Sequence, residues 1–293
     1  MTAGQRPRLL LLHAHPDDES IMTGGVIARY LAEGVDVRVV TFTLGEEGEV
    51  IGDRWARLVA DGGADQLGGF RISELDAALR ALAPDTASAP QPRFLGGAGR
   101  WRDSGMAGTP SAEHPRALFQ AAQADLVAAL CAEIADFEPH VVVTYDEAGT
   151  YGHPDHRRVH SVSVAAIAES TAQTGYPLKV YESVTARSVL NAGLDAVAEI
   201  PEGWRMPEPG ELPSYPDDMI TTAVDVTAVL DRKVAALAAH ATQVTIAPSR
   251  AEYALSNLIA QPVLPVEHFI RTDEGSRADT SDGVERDLFE GLR

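Results

Sequence analysis

Two short stretches of this chain carry the residue types that hold a divalent cation and activate water. The first is His13-Ala14-His15-Pro16-Asp17-Asp18, the second Tyr151-Gly152-His153-Pro154-Asp155-His156. Imidazole nitrogens and carboxylate oxygens are the donors zinc takes, and a catalytic site keeps three of them with an open fourth position. His15 and Asp18 stand three apart across a proline turn, so both can face one point while Asp17 projects beside them. His156 opens a predicted helix, from which it reaches the same point. Two histidines and one aspartate then supply the ligands, and Asp17 sits next to the open position as general base. A divalent ion lowers the pKa of water from about 16 towards about 7. Tyr151 and His153 fall where they could donate hydrogen bonds to the oxyanion formed by attack on a carbonyl.

Each stretch alone has a plainer explanation. A His-x-His pair is commonly a solvent-facing strand end, and paired aspartates before a helix commonly serve as its cap and dipole partner. The two become informative together, because both directly follow predicted buried strands. His13-x-His15-x-Asp17 also opens the two-metal pattern of metallo-β-lactamase-like hydrolases, in which a further histidine follows the aspartate. Here Asp18 stands in that place.

The elements that must position these residues read as alternating strands and helices. Arg8 to Leu12 is a continuous apolar run suited to a strand buried on both faces. Thr23 to Glu33 has helical spacing and ends before Gly34, and Val35 to Thr43 is β-branched. Strand, helix and strand make a βαβ unit with an expected right-handed crossover. Arg54 to Leu67, Ile72 to Leu82 and Arg116 to Phe137 are predicted as helices, and Phe94-Leu95 as a short strand. Gly96 to Gly99 lacks the following amphipathic helix of a phosphate cradle and reads as part of a long loop to Pro115. A strand over His140 to Thr144, a helix from Arg157 to Ala172 and a strand over Lys179 to Ser183 continue the alternation. Pro201 to Pro216 reads as a surface excursion, Thr221 to Val226 as a strand, Val229 to His240 as a helix, and the end as an acidic, frayed tail.

The expected architecture is α/β: a doubly wound, mostly parallel, Rossmann-like sheet over residues 1–185, with a smaller α+β part over 186–293 packed beside the active-site rim. In such a sheet ligands bind beyond the carboxyl ends of the strands, which brings residues 13–18 and 151–156 to one rim.

Composition narrows the partners. The 293 residues carry 43 Asp and Glu against 24 Lys and Arg, a formal charge of -19, with no basic run. Nucleic acid is disfavoured, and a neutral or cationic small molecule suits this balance. The single cysteine, Cys131, lies among apolar neighbours at helical spacing and reads as a core thiol. Met1 to Arg8 lacks an apolar signal region, and no apolar run approaches the roughly 18 residues of a membrane span. A cytoplasmic protein is expected; the oligomeric state is open.

Ala14-His15-Pro16-Asp17-Asp18-Glu19 with Gly152-His153-Pro154-Asp155-His156 resembles the zinc-dependent deacetylases of the LmbE and PIG-L family. Residues 43–55, 96–106 and 236–244 extend the resemblance over most of the chain, and it is weakest over 185–225. Within the family, the stretches 43–55 and 96–106 resemble the branch that deacetylates N-acetylglucosaminyl inositol in mycothiol biosynthesis. The resemblance implies that His15, Asp18 and His156 bind one zinc ion and that Asp17 is the base. It implies that Tyr151 and His153 assist at the carbonyl, that Asp155 positions His153, and that Arg71 and Asp103 contact sugar hydroxyls. A related branch cleaves the amide of mycothiol S-conjugates and carries a lysine shortly after Asp-Asp-Glu, where this chain has Ile21-Met22-Thr23. Ferrous iron suits the same donor set, and either His153 or Asp17 could return the proton to the leaving amine. A non-catalytic sugar-binding module on the same core is the bland alternative.

Overall fold

Four consecutive leucines decide where β1 (Arg8–His13) sits. Side chains alternate along a strand. Leu9 and Leu11 enter one apolar core, and Leu10 and Leu12 enter a second core on the opposite face. A strand apolar on both sides belongs inside a sheet covered on both sides. The computed structural model describes residues 6–85, 87–273 and 283–292, and in it β1 lies inside a six-stranded sheet.

β2 (Asp36–Thr41) and β3 (Val141–Thr144) flank β1 in parallel, and β4 (Lys179–Val184) follows β3. The chain then forms β5 (Thr222–Asp225), a small antiparallel sheet of β6 (Thr245–Ile246), β7 (Glu252–Ala254) and β8 (Gln261–Pro262), and finally β9 (Val266–Arg271). The main sheet runs β2-β1-β3-β4-β9-β5, and β9 is antiparallel to both its neighbours. The mostly parallel α/β expectation is met. Two strands from residues 186–293 thus extend the sheet built by residues 1–185.

α1 (Asp18–Ala32) and α2 (Leu67–Leu82) cover one face; α3 (Gln123–Phe137) and α4 (Pro154–Thr174) cover the other. α5 (Arg187–Asp195) follows β4, and α6 (Leu230–Ala239) returns to pack on α1 and α2. Cys131 is half-buried on α3, its thiol near the carbonyl of Ala166 (3.6 Å). Among the described residues, no helix is long and apolar enough to cross a membrane.

Several expectations need correction. Arg54 to Leu67 is a series of turns, because Gly63 and Asp65 take positive φ (93° and 48°) and the amides of Gln66 and Leu67 both donate back to the Leu58 carbonyl. The helix expected from Arg116 begins only at Gln123. Ala117, Ala121 and Ala122 are extended, and the amides of Leu118 and Phe119 donate to the Arg102 carbonyl and Ser104 Oγ. The helix expected from Arg157 starts three residues earlier, at Pro154, whose fixed φ suits the first helical position. Strand β9 was not predicted, and within the acidic end expected to fray Leu288 and Phe289 are fully buried. Residues 1–5 and 274–282, parts of the two termini read above, lie outside the described residues.

β9 carries a buried glutamate that ties it to α1. Glu267 accepts the backbone amides of Gly25 and Val26 (both 2.8 Å), and Lys233 Nζ of α6 lies 2.7 Å from its Oε1. Removing one partner of such a pair strands the other charge in a dry interior. Glu267→Ala is expected to lower unfolding stability by about 3–5 kcal/mol, measured by urea denaturation. The double variant Glu267→Leu/Lys233→Met should lose less than the single one.

Candidate active site

The chain leaves β1 towards β2 and leaves β3 towards β4, so the strand order reverses between β1 and β3. An open parallel sheet has its binding crevice at such a reversal, beyond the carboxyl ends of the strands. Both polar stretches emerge there. Ala14 N–H donates to the Tyr145 hydroxyl, which follows β3, and that hydroxyl donates to Asp18 Oδ2, each at 2.7 Å. The same Asp18 oxygen accepts the His15 amide at 2.9 Å, closing the Pro16 turn. On the other side His153 caps α4, its Nδ1 accepting the Asp155 amide at 3.2 Å.

The side chains expected as metal ligands come together. His15 Nδ1 lies 3.3 Å from Asp18 Oδ2, and His156 Nε2 lies 3.4 Å from Asp18 Oδ1. The His15 and His156 rings are 5.3 Å apart. His153 shares the neighbourhood: ligand-type atoms of His15, His153 and His156 fall within 4.8 Å of one another, as do those of His15, Asp103 and Asp155. His15 Nε2 is 3.4 Å from both Asp103 Oδ1 and Asp155 Oδ2. His13 is elsewhere, its Nε2 turned to Thr23 Oγ1 at 3.0 Å.

This donor set fits a cation. His156 is buried, and neither ring nitrogen makes a hydrogen bond; its approach to Asp18 is close but not aligned for one. Burial works against charge on His15, yet Asp103, Asp155 and Asp18 hold its pKa well above the ordinary histidine value. Burial likewise opposes charge on Asp18, and His156 and His15 hold it well below the ordinary carboxylate range. Surroundings that favour a proton this strongly favour a divalent ion in its place.

Asp17 is the most accessible carboxylate of the group, with 14 % of its side chain exposed. Burial raises its pKa to about 6 against the pull of Arg71, whose Nη2 is 2.9 Å away. Arg71 is turned inward: besides Asp17 it donates to the carbonyls of Gly45 (2.7 Å) and Pro16. Asp103 is also buried. Its Oδ1 accepts the Gly105 amide (2.8 Å) and its Oδ2 the Glu47 amide (3.2 Å). Asp155 contacts His153 through its backbone amide, while its Oδ2 accepts the Ser104 amide at 2.9 Å. Burial, with His15 and His156 nearby, lowers the pKa of His153 to about 3. Tyr151 stands at the rim, 56 % exposed, its ring 5.1 Å from that of His156.

Sequence reasoning missed Tyr145. It hydrogen-bonds Asp18 and stacks on His156 at 4.2 Å, touching two of the expected ligands at once. Its one sequence signal was its position immediately after β3, at the end of an apolar run. Glu19 and His240, buried against each other beneath Asp17, were also passed over.

Comparison with known proteins gives the family. The family model described as PIG-L, GlcNAc-PI de-N-acetylase, matches residues 10–167. A protein of Gordonia bronchialis named 1D-myo-inositol 2-acetamido-2-deoxy-alpha-D-glucopyranoside deacetylase is 65% identical over 97% of this chain and 100% of its own length. Among solved structures, the 4-carboxy-2-hydroxymuconate hydratase GalB of Pseudomonas putida is similar, with a TM-score of 0.59 and 17% identity over 94% of this chain and 100% of that one. The N,N'-diacetylchitobiose deacetylase of Pyrococcus horikoshii has a TM-score of 0.51 and 18% identity, covering 80% of this chain and 69% of that one. A hydratase and a deacetylase on one scaffold show that the fold alone does not choose the reaction. With over half the chain matched by the family model and a relative this similar along nearly its whole length, the chain belongs to the PIG-L family of GlcNAc-PI de-N-acetylases.

Proposed function

We propose that the protein hydrolyses the acetamide of N-acetylglucosaminyl inositol to acetate and glucosaminyl inositol, a step in making mycothiol, with one zinc ion held by His15, Asp18 and His156. The observation that carries this reading is the buried His156, without a hydrogen-bond partner, beside an Asp18 that also faces His15. The name of the 65%-identical relative supports the substrate. The smaller part over 186–293 is read as packing beside the rim, where residues 187–195 and 207–215 share a cleft of about 820 Å³ with Asp146 and Thr150.

When bound, the ion supplies Lewis-acid chemistry, polarising the carbonyl and lowering the pKa of water from about 16 to about 7. Asp17 takes the proton from the attacking water, its carboxylate steadied by Arg71. Arg71, which the family resemblance assigns to sugar hydroxyls, has both terminal nitrogens on protein oxygens and is read here as orienting Asp17. Asp103, similarly assigned, is read as shaping the 103–105 turn beside His15.

The His153 tautomer follows from its cap. Nδ1 accepts the Asp155 amide, so the neutral ring carries its proton on Nε2 and can donate it as a hydrogen bond to the amide oxygen. Tyr151, whose pKa its surroundings push above the ordinary tyrosine value, is read as the second donor. A histidine this hard to protonate carries no second proton to give near neutral pH, so Asp17 returns the proton as the carbon–nitrogen bond breaks, releasing the free amine and acetate.

Four outcomes test this. The purified protein should release acetate from N-acetylglucosaminyl inositol faster than it cleaves a mycothiol S-conjugate; the reverse preference makes it an amidase, and no acetate with no bound metal makes it a binding module. Asp17→Asn should keep its metal and lose about 10²–10⁴-fold in turnover, whereas His156→Ala should be purified metal-poor, both read by elemental analysis beside the assay. His153→Gln, which keeps an N–H near the Nε2 position, should retain far more kcat than His153→Ala, which should lose about 10²–10³-fold; equal losses would assign His153 as the acid. Tyr145→Phe should weaken zinc affinity about 10–100-fold in a chelator competition, and unchanged affinity would leave Tyr145 as core packing only.

A further inference from the structure

α6 ends at Ala239, and the next residue, His240, is fully buried. Its Nε2 lies 2.7 Å from Oε1 of Glu19, itself fully buried in the first turn of α1. Ser20 Oγ donates to that same oxygen at 2.5 Å. The other oxygen, Oε2, accepts the backbone N–H of Asp17 at 3.0 Å. One carboxylate therefore joins the C-terminal helix to the main chain of the residue read as the base.

Asp17 needs such a hold. Its backbone lies at φ 125 and ψ -34, a region closed to most residues that bear a side chain. Such a conformation persists where its surroundings determine it. Arg71 fixes the carboxylate and the preceding carbonyl, and Glu19 fixes the amide. The chain just beyond His240 is tied down in turn. The amide and hydroxyl of Thr242 donate to the two oxygens of Glu74 in α2 at 2.8 Å each, and the Thr242 carbonyl accepts the Ile51 amide at 2.9 Å.

We propose that Glu19 and His240 are a positioning pair, through which the C-terminal helix sets the backbone angle from which Asp17 aims at the water. The pair touches no reacting atom. It acts on geometry, and a displacement of about 1 Å at a catalytic group costs on the order of 10²-fold in rate. This inference rests on Asp17 being the base, which Asp17→Asn tests separately: if that variant keeps parent turnover, the base assignment fails first.

The test compares zinc-loaded H240L, H240N and H240Q with the parent for kcat, KM, zinc content and Tm. Glutamine can place an N–H near the Nε2 position and reach Glu19; the shorter asparagine and the apolar leucine cannot. H240L and H240N should lower kcat on the order of 10²-fold with KM and zinc content at parent values, and H240Q should recover most of that loss. If H240L fails to fold, H240N and H240Q decide by the same comparison. Parent kcat in H240N, equal losses in H240N and H240Q, losses that track zinc content, or failure of all three to fold would each overturn the proposal and mark the pair as structural only.

Discussion

Asp18, Asp103 and Asp155 lie buried around His15, each with an oxygen within 3.4 Å of one of its nitrogens. Carboxylates gathered in a medium of low dielectric repel one another and need positive charge among them. A proton on His15 answers that need in part, and the divalent ion proposed above would answer it more fully. Much of the fold bears on this point. Leucines on both faces of β1 bury it beside β3, the reversal of strand order opens the crevice, and α1 and α4 begin at its edge. Asp18 and Asp155 lie in the first turns of these helices, where the helix dipole favours negative side chains.

Around the cluster the surrounding groups have separable tasks. Tyr145 holds Asp18 by a hydrogen bond and His156 by stacking, fixing two donors from one strand end. Arg71 and Glu19 grip Asp17 by its carboxylate and its amide. His153 is kept neutral by burial beside His15 and His156, and an amide from the helix it caps directs its proton to Nε2. A site built this way is organised before substrate arrives, which is where electrostatic stabilisation of an oxyanion gains most.

The stretches 13–18 and 151–156 were legible as a pair, because both directly follow apolar runs that read as buried strands. Strand ends of a parallel sheet also share one rim, so distance along the chain did not hide the convergence of His15 and His156. Tyr145 was not legible, since an aromatic residue after a strand looks like core until its hydroxyl is seen on Asp18. Nor was the Glu19–His240 contact, which joins residues 221 apart and needs the docking of α6 on α1. Arg71 had a function by resemblance, but only the structure shows its guanidinium turned towards Asp17. In the fold, β9 was missed because Glu267 and His268 interrupt its apolar pattern, and the partners that satisfy Glu267 come from α1 and α6. The turns over Arg54 to Leu67 were misread because apolar spacing outweighed Gly62-Gly63, which stops a helix there.

The most direct measurement is anomalous diffraction at the zinc absorption edge from crystals of the metal-loaded protein. A single peak, ligated by His15, Asp18 and His156 with Asp17 facing its open side, is the predicted result. Two peaks, or one peak ligated by other residues while His15 and His156 point apart, would contradict the account.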